Sequence, residues 1–284
     1  MSNLLSGLSK LGLGALEDAK IFEEPKDDKA VNKGKGAEVP EIQEKDLLLE
    51  RTFECPVCDS KITSKMMKTG KAKLLHTDLD LRAVYEGIDA QKYDVISCPV
   101  CGFTALSRFF KPMPAGQIKL IKENISKNFH GTPHTGEIYT YEEAMERYKL
   151  ALACAIVKQA RNSEKAYICL KSAWILRGWQ EELTQKNNDK EKLAQLQAEE
   201  KEYLQNALEG FIAAKESENY PICGMDEITV DYLIAVLAFW QGKFDVASRL
   251  IASILTSPSA SARVKDKARE LKDALMAELK KGKE

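Results

Sequence analysis

The sequence predicts an α+β protein, mainly α: a small zinc-ribbon/rubredoxin-like four-cysteine module followed by a tetratricopeptide-like helical domain. Three observations predict it. Two CPVC units, Cys55-Pro56-Val57-Cys58 and Cys98-Pro99-Val100-Cys101, stand about 40 residues apart. Short apolar runs precede each unit in the manner of strands. Beyond Thr140, apolar residues recur three and four apart, as on helices.

The cysteines come first. Two cysteines at this spacing can turn their thiolates onto one ion through a tight turn, and Gly102 supplies the backbone freedom such a turn needs. Two such knuckles make a tetrahedron of Cys55, Cys58, Cys98 and Cys101, the geometry zinc accepts most readily. One structural Zn2+ is therefore expected. The other reading is two separate thiol pairs or an iron site. A redox CxxC, however, wants a single pair at a helix start in a βαβ setting. A closed four-sulfur site leaves no open position for a metal-bound water, which argues against a zinc hydrolase.

The flanking residues fit. Leu47-Leu48-Leu49 and Phe53 lead into the first knuckle. Tyr93, Val95 and Ile96 deliver Cys98, and Phe103, Phe109 and Phe110 follow the second. The separation exceeds the ~15–20 residues of common compact ribbons, so an inserted excursion is expected from Lys61 to Gln91. The excursion carries Lys61, Lys65, Lys68, Lys71 and Lys73. Zinc ribbons often contact phosphates through such lysines. Asp78, Asp80, Glu86, Asp89 and Asp94 follow at once, which favours a solvated face.

After Pro112 and Pro114, Ile118, Ile121 and Ile125 form one helical stripe. Phe129 to Glu137 reads as a Gly/Pro loop. Thr140 and Glu143 form a capping box that opens the helical part. Ala144, Tyr148, Ala151 and Ala155 share a face. Ala166, Leu170, Ala173 and Ile175 mark the next helix, with Trp174 and Trp179. Leu193 to Phe211 make a long third, broken by Pro221 and Gly224. Tyr232–Trp240 and Phe244–Leu255 pair around Gly242, and Val264 to Leu279 close the chain. Gly242, Phe244, Ala247, Ile251, Ile254 and Pro258 follow the tetratricopeptide order, although Ala235 stands where glycine is usual and Asp231 where a bulky residue is usual. A weaker copy lies over Cys154, Ala166, Leu170 and Ala173. A plain helical bundle is the alternative.

Three segments follow: a flexible tail and linker over 1–46, the four-cysteine module with its excursion over 47–136, and the helical domain over 137–284. The tail opens with a loosely amphipathic stretch broken by Gly7, Gly12 and Gly14, unlike a secretory signal. The chain has 284 residues, enough for two modest domains. Its 42 basic and 43 acidic side chains give a net charge of -1, so there is no global pull toward nucleic acid or anionic membrane. No apolar run reaches about 18 residues, so no spanning helix is expected. Seven cysteines, four of them in knuckles, suit a reducing cytoplasm better than a disulfide framework.

In order, the CPVC unit, the Asp78–Asp80 and Tyr85-Glu86-Gly87-Ile88 segment, the run from Tyr93 to Phe103, and the Ala-rich helices with Trp174 resemble the bacterial DUF2225 family. The resemblance runs from about Phe53 to the C-terminus. It implies a zinc-binding part fused to tetratricopeptide-like helices in a cytoplasmic bacterial protein, and it implies no reaction.

The remaining candidates carry bland readings. His130 and His134 are spaced as zinc ligands can be, but no carboxylate motif accompanies them. His76, Asp78 and Asp80 read as residues that shape the excursion. Cys154 and Cys169 read as small core residues, and Cys223 as a loop cysteine. The chain lacks a GxSxG elbow, a phosphate-binding loop, an HExxH helix and a dinucleotide turn. The expected function is non-catalytic: an interaction or scaffold protein whose helical surface binds a protein or peptide partner. A nucleic-acid-binding accessory factor is the second reading. An enzyme with a polar site between the two parts, near His130 and His134, is the third.

Overall fold

In the computed structural model, residues 43–131, 136–186 and 189–281 are described, and they belong to one compact unit. The tail expected over 1–46 lies outside the described residues except for its last four. Three short antiparallel hairpins precede the helices. Strands β1 (Leu48–Glu54) and β2 (Lys61–Met67) pair from Leu48↔Met67 to Glu54↔Lys61. In β2, buried Ile62 and Ser64 alternate with exposed Lys61 and Thr63, the period of a strand with one covered face. Strands β3 (Leu74–Thr77) and β4 (Ala83–Tyr85) form the second hairpin. Strands β5 (Val95–Ser97) and β6 (Thr104–Leu106) form the third, in register from Val95↔Leu106 to Ser97↔Thr104.

The first hairpin corrects the expected extent of the excursion. Lys61–Met67 is the return strand of the first knuckle, so the inserted stretch begins only after Met67. The physical reason is pairing: a knuckle at a hairpin tip needs both arms to hold its turn.

Among the described residues seven α-helices follow: α1 (Ala115–Asn124), α2 (Tyr141–Val157), α3 (Asn162–Lys186), α4 (Lys190–Ser217), α5 (Glu227–Trp240), α6 (Phe244–Thr256) and α7 (Ala262–Lys281). Their starts are chemically marked. Thr140 accepts from the Glu143 amide at 3.1 Å while Glu143 accepts from the Thr140 amide at 2.8 Å, the reciprocal pair that satisfies two orphan donors. Asp189 and Asp226 cap α4 and α5 from one side only, accepting from the amides of Lys192 and Thr229.

From α2 onward each helix packs on the next, and α5 also packs on α7. Every residue of α5 from Val230 to Ala238 is buried, so it forms the centre of the helical part. Helix α6 buries only Ala247, Ile251 and Ile254, and α7 only Ala268, Leu271 and Leu275, as expected of one-faced outer helices. Gly242 turns the chain between α5 and α6 at φ +71°. Helices α3 and α4 approach closely where Gly210 meets Ala166; a Cβ on Gly210 would stand 2.7 Å from the Ala166 methyl.

The β5–β6 hairpin divides two cores. Val95 and Leu106 point into a cluster with Ala144, Tyr148 and Ala151 of α2 and Ile175 of α3. The next cross-strand pair, Ile96 and Ala105, points the other way, into a cluster with Cys55, Cys98, Phe103 and Ile121 of α1. Cys154 of α2 also belongs to this second cluster.

Candidate metal centre

Each CPVC unit caps a hairpin, and the two caps repeat one backbone pattern. In the first, the Asp59 amide donates to the Cys55 carbonyl at 2.9 Å and the Cys55 amide donates to the Ser60 carbonyl at 2.9 Å. In the second, the Gly102 amide donates to the Cys98 carbonyl and the Cys98 amide to the Phe103 carbonyl, each at 2.9 Å. Both turns end in the left-handed region, Asp59 at φ 60° and Gly102 at φ 75°. Glycine enters that region freely and aspartate tolerates it. Gly102 has a second reason: a Cβ there would lie 2.5 Å from Cγ of Phe129.

These turns bring Cys55, Cys58, Cys98 and Cys101 together, with their four Sγ atoms all within 4.8 Å of one another. Cys55 and Cys101 are 3.6 Å apart, as are Cys58 and Cys98. Zinc–thiolate bonds of about 2.3 Å arranged as a tetrahedron have edges of about 3.8 Å. A disulfide would need about 2.05 Å, and all seven cysteines are free. Three of the four are buried, and Cys58 is half-buried beside Ser60, with Sγ and Oγ 3.3 Å apart. Such a set suits a metal ion.

The electrostatics agree. Sharing a proton with Cys101 lowers the Cys55 thiol and raises that of Cys101. Burial pushes Cys98 up to about 11. Four clustered sulfurs cannot all ionise with only protons between them, whereas a divalent cation favours the thiolate in each. Backbone amides of Val57 and Cys58 aim at the Cys55 sulfur, and those of Val100 and Cys101 at the Cys98 sulfur.

The other sequence candidates fall elsewhere. His130 is exposed, with Nδ1 2.8 Å from its own loop's Asn128 carbonyl; His134 lies outside the described residues. Cys154 and Cys169 are buried, and burial pushes each thiol up to about 11. Cys223 sits half-buried in the loop after α4. The lysine run is not one free basic face. Lys65 donates to the Gly136 carbonyl at 2.6 Å, Lys68 donates to the Asp46 carbonyl at 2.8 Å, and Lys73 stands 3.9 Å from Glu86.

Sequence reasoning missed a buried ionic network that seats the β3–β4 hairpin on the helices. Asp80, fully buried, accepts from Trp174 Nε1 at 2.8 Å and from Arg177 Nη2 at 2.9 Å. Arg177 also reaches Asp78 at 3.1 Å and Glu200 of α4 at 2.8 Å. Arg82 donates through both terminal nitrogens to Glu181, each at 2.7 Å. Trp174, Arg177 and Glu181 recur three and four apart on α3, the one local signal that could have drawn them together. Asp78 and Asp80 were read as shaping the excursion, and they do so by anchoring it to α3.

No helix among the described residues is long and apolar enough to cross a membrane. No curated protein and no solved structure matches the chain. One family model does, described as an uncharacterized protein conserved in bacteria (DUF2225), over residues 48–275. That match begins at β1, takes in both knuckles and the ionic network, and ends within α7, so this chain belongs to the DUF2225 family.

Proposed function

We propose that Cys55, Cys58, Cys98 and Cys101 hold one structural Zn2+, and that the protein is a non-catalytic interaction protein of a reducing cytoplasm. In this reading a tetratricopeptide-like helical surface binds a protein partner. The observation that carries it is the four-sulfur cluster, with its 3.6 Å cross-hairpin separations; a tetrahedral ion held by four thiolates keeps no open position for substrate or water. We retain 47–136 and 137–284 as a division between metal-centred and helical chemistry. The α5–α6 pair supports the repeat-like reading, because Ala235, Ala247, Ile251 and Ile254 are all core residues flanking the Gly242 turn. The nucleic-acid reading has less support, since Lys65, Lys68 and Lys73 are each engaged within the chain.

Metal analysis of tag-free protein tests the site, with the Cys55→Ala/Cys98→Ala double variant beside it. One zinc per chain, lost in the variant, is expected. Metal-free protein, or iron with a visible absorption band, would overturn the structural-zinc reading.

A further inference from the structure

A cleft of about 590 Å³ lies where three segments meet. One is the stretch that leaves β6, from Arg108 to Gln117. The second is the α2–α3 turn, from Lys158 to Glu164. The third is the loop between α4 and α5, from Glu218 to Gly224. Its charge is mostly positive, with Arg108, Lys111, Lys158 and Arg161 against Glu164 and Glu218.

Both acids are engaged within the chain, Glu164 by a cation and Glu218 by hydrogen bonds that leave its charge in place. Lys158 stands 2.6 Å from Glu164. Glu218 accepts from the amide and hydroxyl of Ser163, at 2.9 and 2.5 Å, and so caps the start of α3 in place of Arg161, which has no acceptor side chain. Arg108 donates to the Cys223 carbonyl and lies over the Tyr167 ring. Lys111 and Arg161 remain, both exposed and with no carboxylate partner among the described residues. Two unpaired cations line a largely polar cleft that also offers apolar contacts at Pro112, Met113 and Pro221.

We propose that this cleft docks an acidic segment of a protein partner, whose carboxylates pair with Lys111 and Arg161 while its apolar side chains lie against the proline walls. This rests on the interaction reading above and names the chemistry of the partner. Charge complementarity selects the occupant. A nucleic acid would need a basic track along its backbone and open aromatic faces for its bases. Here the cleft's cations share its lining with the carboxylates of Glu164 and Glu218, and Phe109 is covered by Arg108. The cleft also depends on the cysteine module. The Lys158 ammonium sits 5.7 Å above the Phe103 ring, which belongs to the cysteine core, and Arg108 follows directly on β6.

The test is fluorescence anisotropy of a short labelled glutamate-rich peptide with the full chain. Wild type is compared with Lys111→Glu/Arg161→Glu and with Lys272→Glu/Lys280→Glu, which makes the same charge change on α7. Binding that weakens with salt is expected in wild type and the α7 control. A loss of roughly tenfold or more is expected in Lys111→Glu/Arg161→Glu. Equal losses in both variants, no loss in either, or tighter binding of single-stranded DNA at the same residues would overturn the proposal. A partner retained by wild type and equally by Lys111→Glu/Arg161→Glu in pull-down would also sink the cleft, while leaving the interaction reading intact. Loss of every partner and of the peptide from wild type would sink both.

Discussion

At Asp80 a single carboxylate joins elements almost a hundred positions apart. Its oxygens accept from Trp174 and Arg177, and Arg177 in turn spans Asp78 and Glu200. Removing one partner of a buried pair leaves the other charge uncompensated, which costs more than the pair contributes over apolar substitutes. Asp80→Ala is expected to lower unfolding stability by about 3–5 kcal/mol. Lys73→Ala, which removes an exposed pair with Glu86, is expected to change it by less than about 1 kcal/mol. Urea titration followed by tryptophan fluorescence checks both, and equal effects would show that the network does not hold the hairpin. In the sequence Asp78 and Asp80 read only as residues that shape the excursion. Nothing local tells a buried charge from a solvated one when its partner lies on a helix far along the chain. The four-cysteine cluster was legible for the opposite reason: the chemistry that needs two thiolates on one ion is written in a four-residue spacing.

Among the elements, the helices were read from their periodicity and caps, because an amphipathic stripe and a capping box are both local. Thr140 and Glu143 announced α2, and the stripe of Ala144, Tyr148, Ala151 and Ala155 is its buried face. The two-faced role of β5–β6 was not legible, since three-residue strands buried on both sides show no alternation. Close approaches between elements were equally silent. Gly178 of α3 admits Asp89 and Tyr141; a Cβ there would lie 2.4 Å from Asp89 Oδ2 and 2.8 Å from the Tyr141 hydroxyl. Gly178→Ala is therefore expected to destabilise by about 1–3 kcal/mol, despite the better helix propensity of alanine. Gly116→Ala in α1 has open space around its Cβ and is expected to be neutral or to stabilise by up to about 1 kcal/mol. Paired thermal melts decide it: if both variants shift alike, propensity rather than packing governs the α3 site.

For the whole molecule, the shared hairpin changes what metal loss should do. If the cysteine module and the helices had separate cores, losing the cysteines would unfold the module and leave the helices intact. In the structure, Ile121 of α1 and Cys154 of α2 sit in the same cluster as the four cysteines, and the reverse face of β5–β6 packs on α2 and α3. Structural zinc is worth about 10 kcal/mol or more to small metal folds, and on the proposed zinc reading its loss here should spread along those contacts. Chelation is expected to remove amide-exchange protection from β1, β2, β5, β6, α1 and α2, while α5, α6 and α7 keep theirs. Protection lost only in the strands would show that the helices hold themselves together without the module.

The two knuckles look like copies, yet they are not interchangeable. Asp59 and Gly102 occupy matching turns at φ 60° and 75°, but at Gly102 the phenylalanine ring of Phe129 closes over the turn. A chain with the two tips exchanged would keep all four sulfurs in place. It would nonetheless press an aspartate side chain into that ring, so the near-symmetry of the cysteine cluster ends one residue beyond its last sulfur.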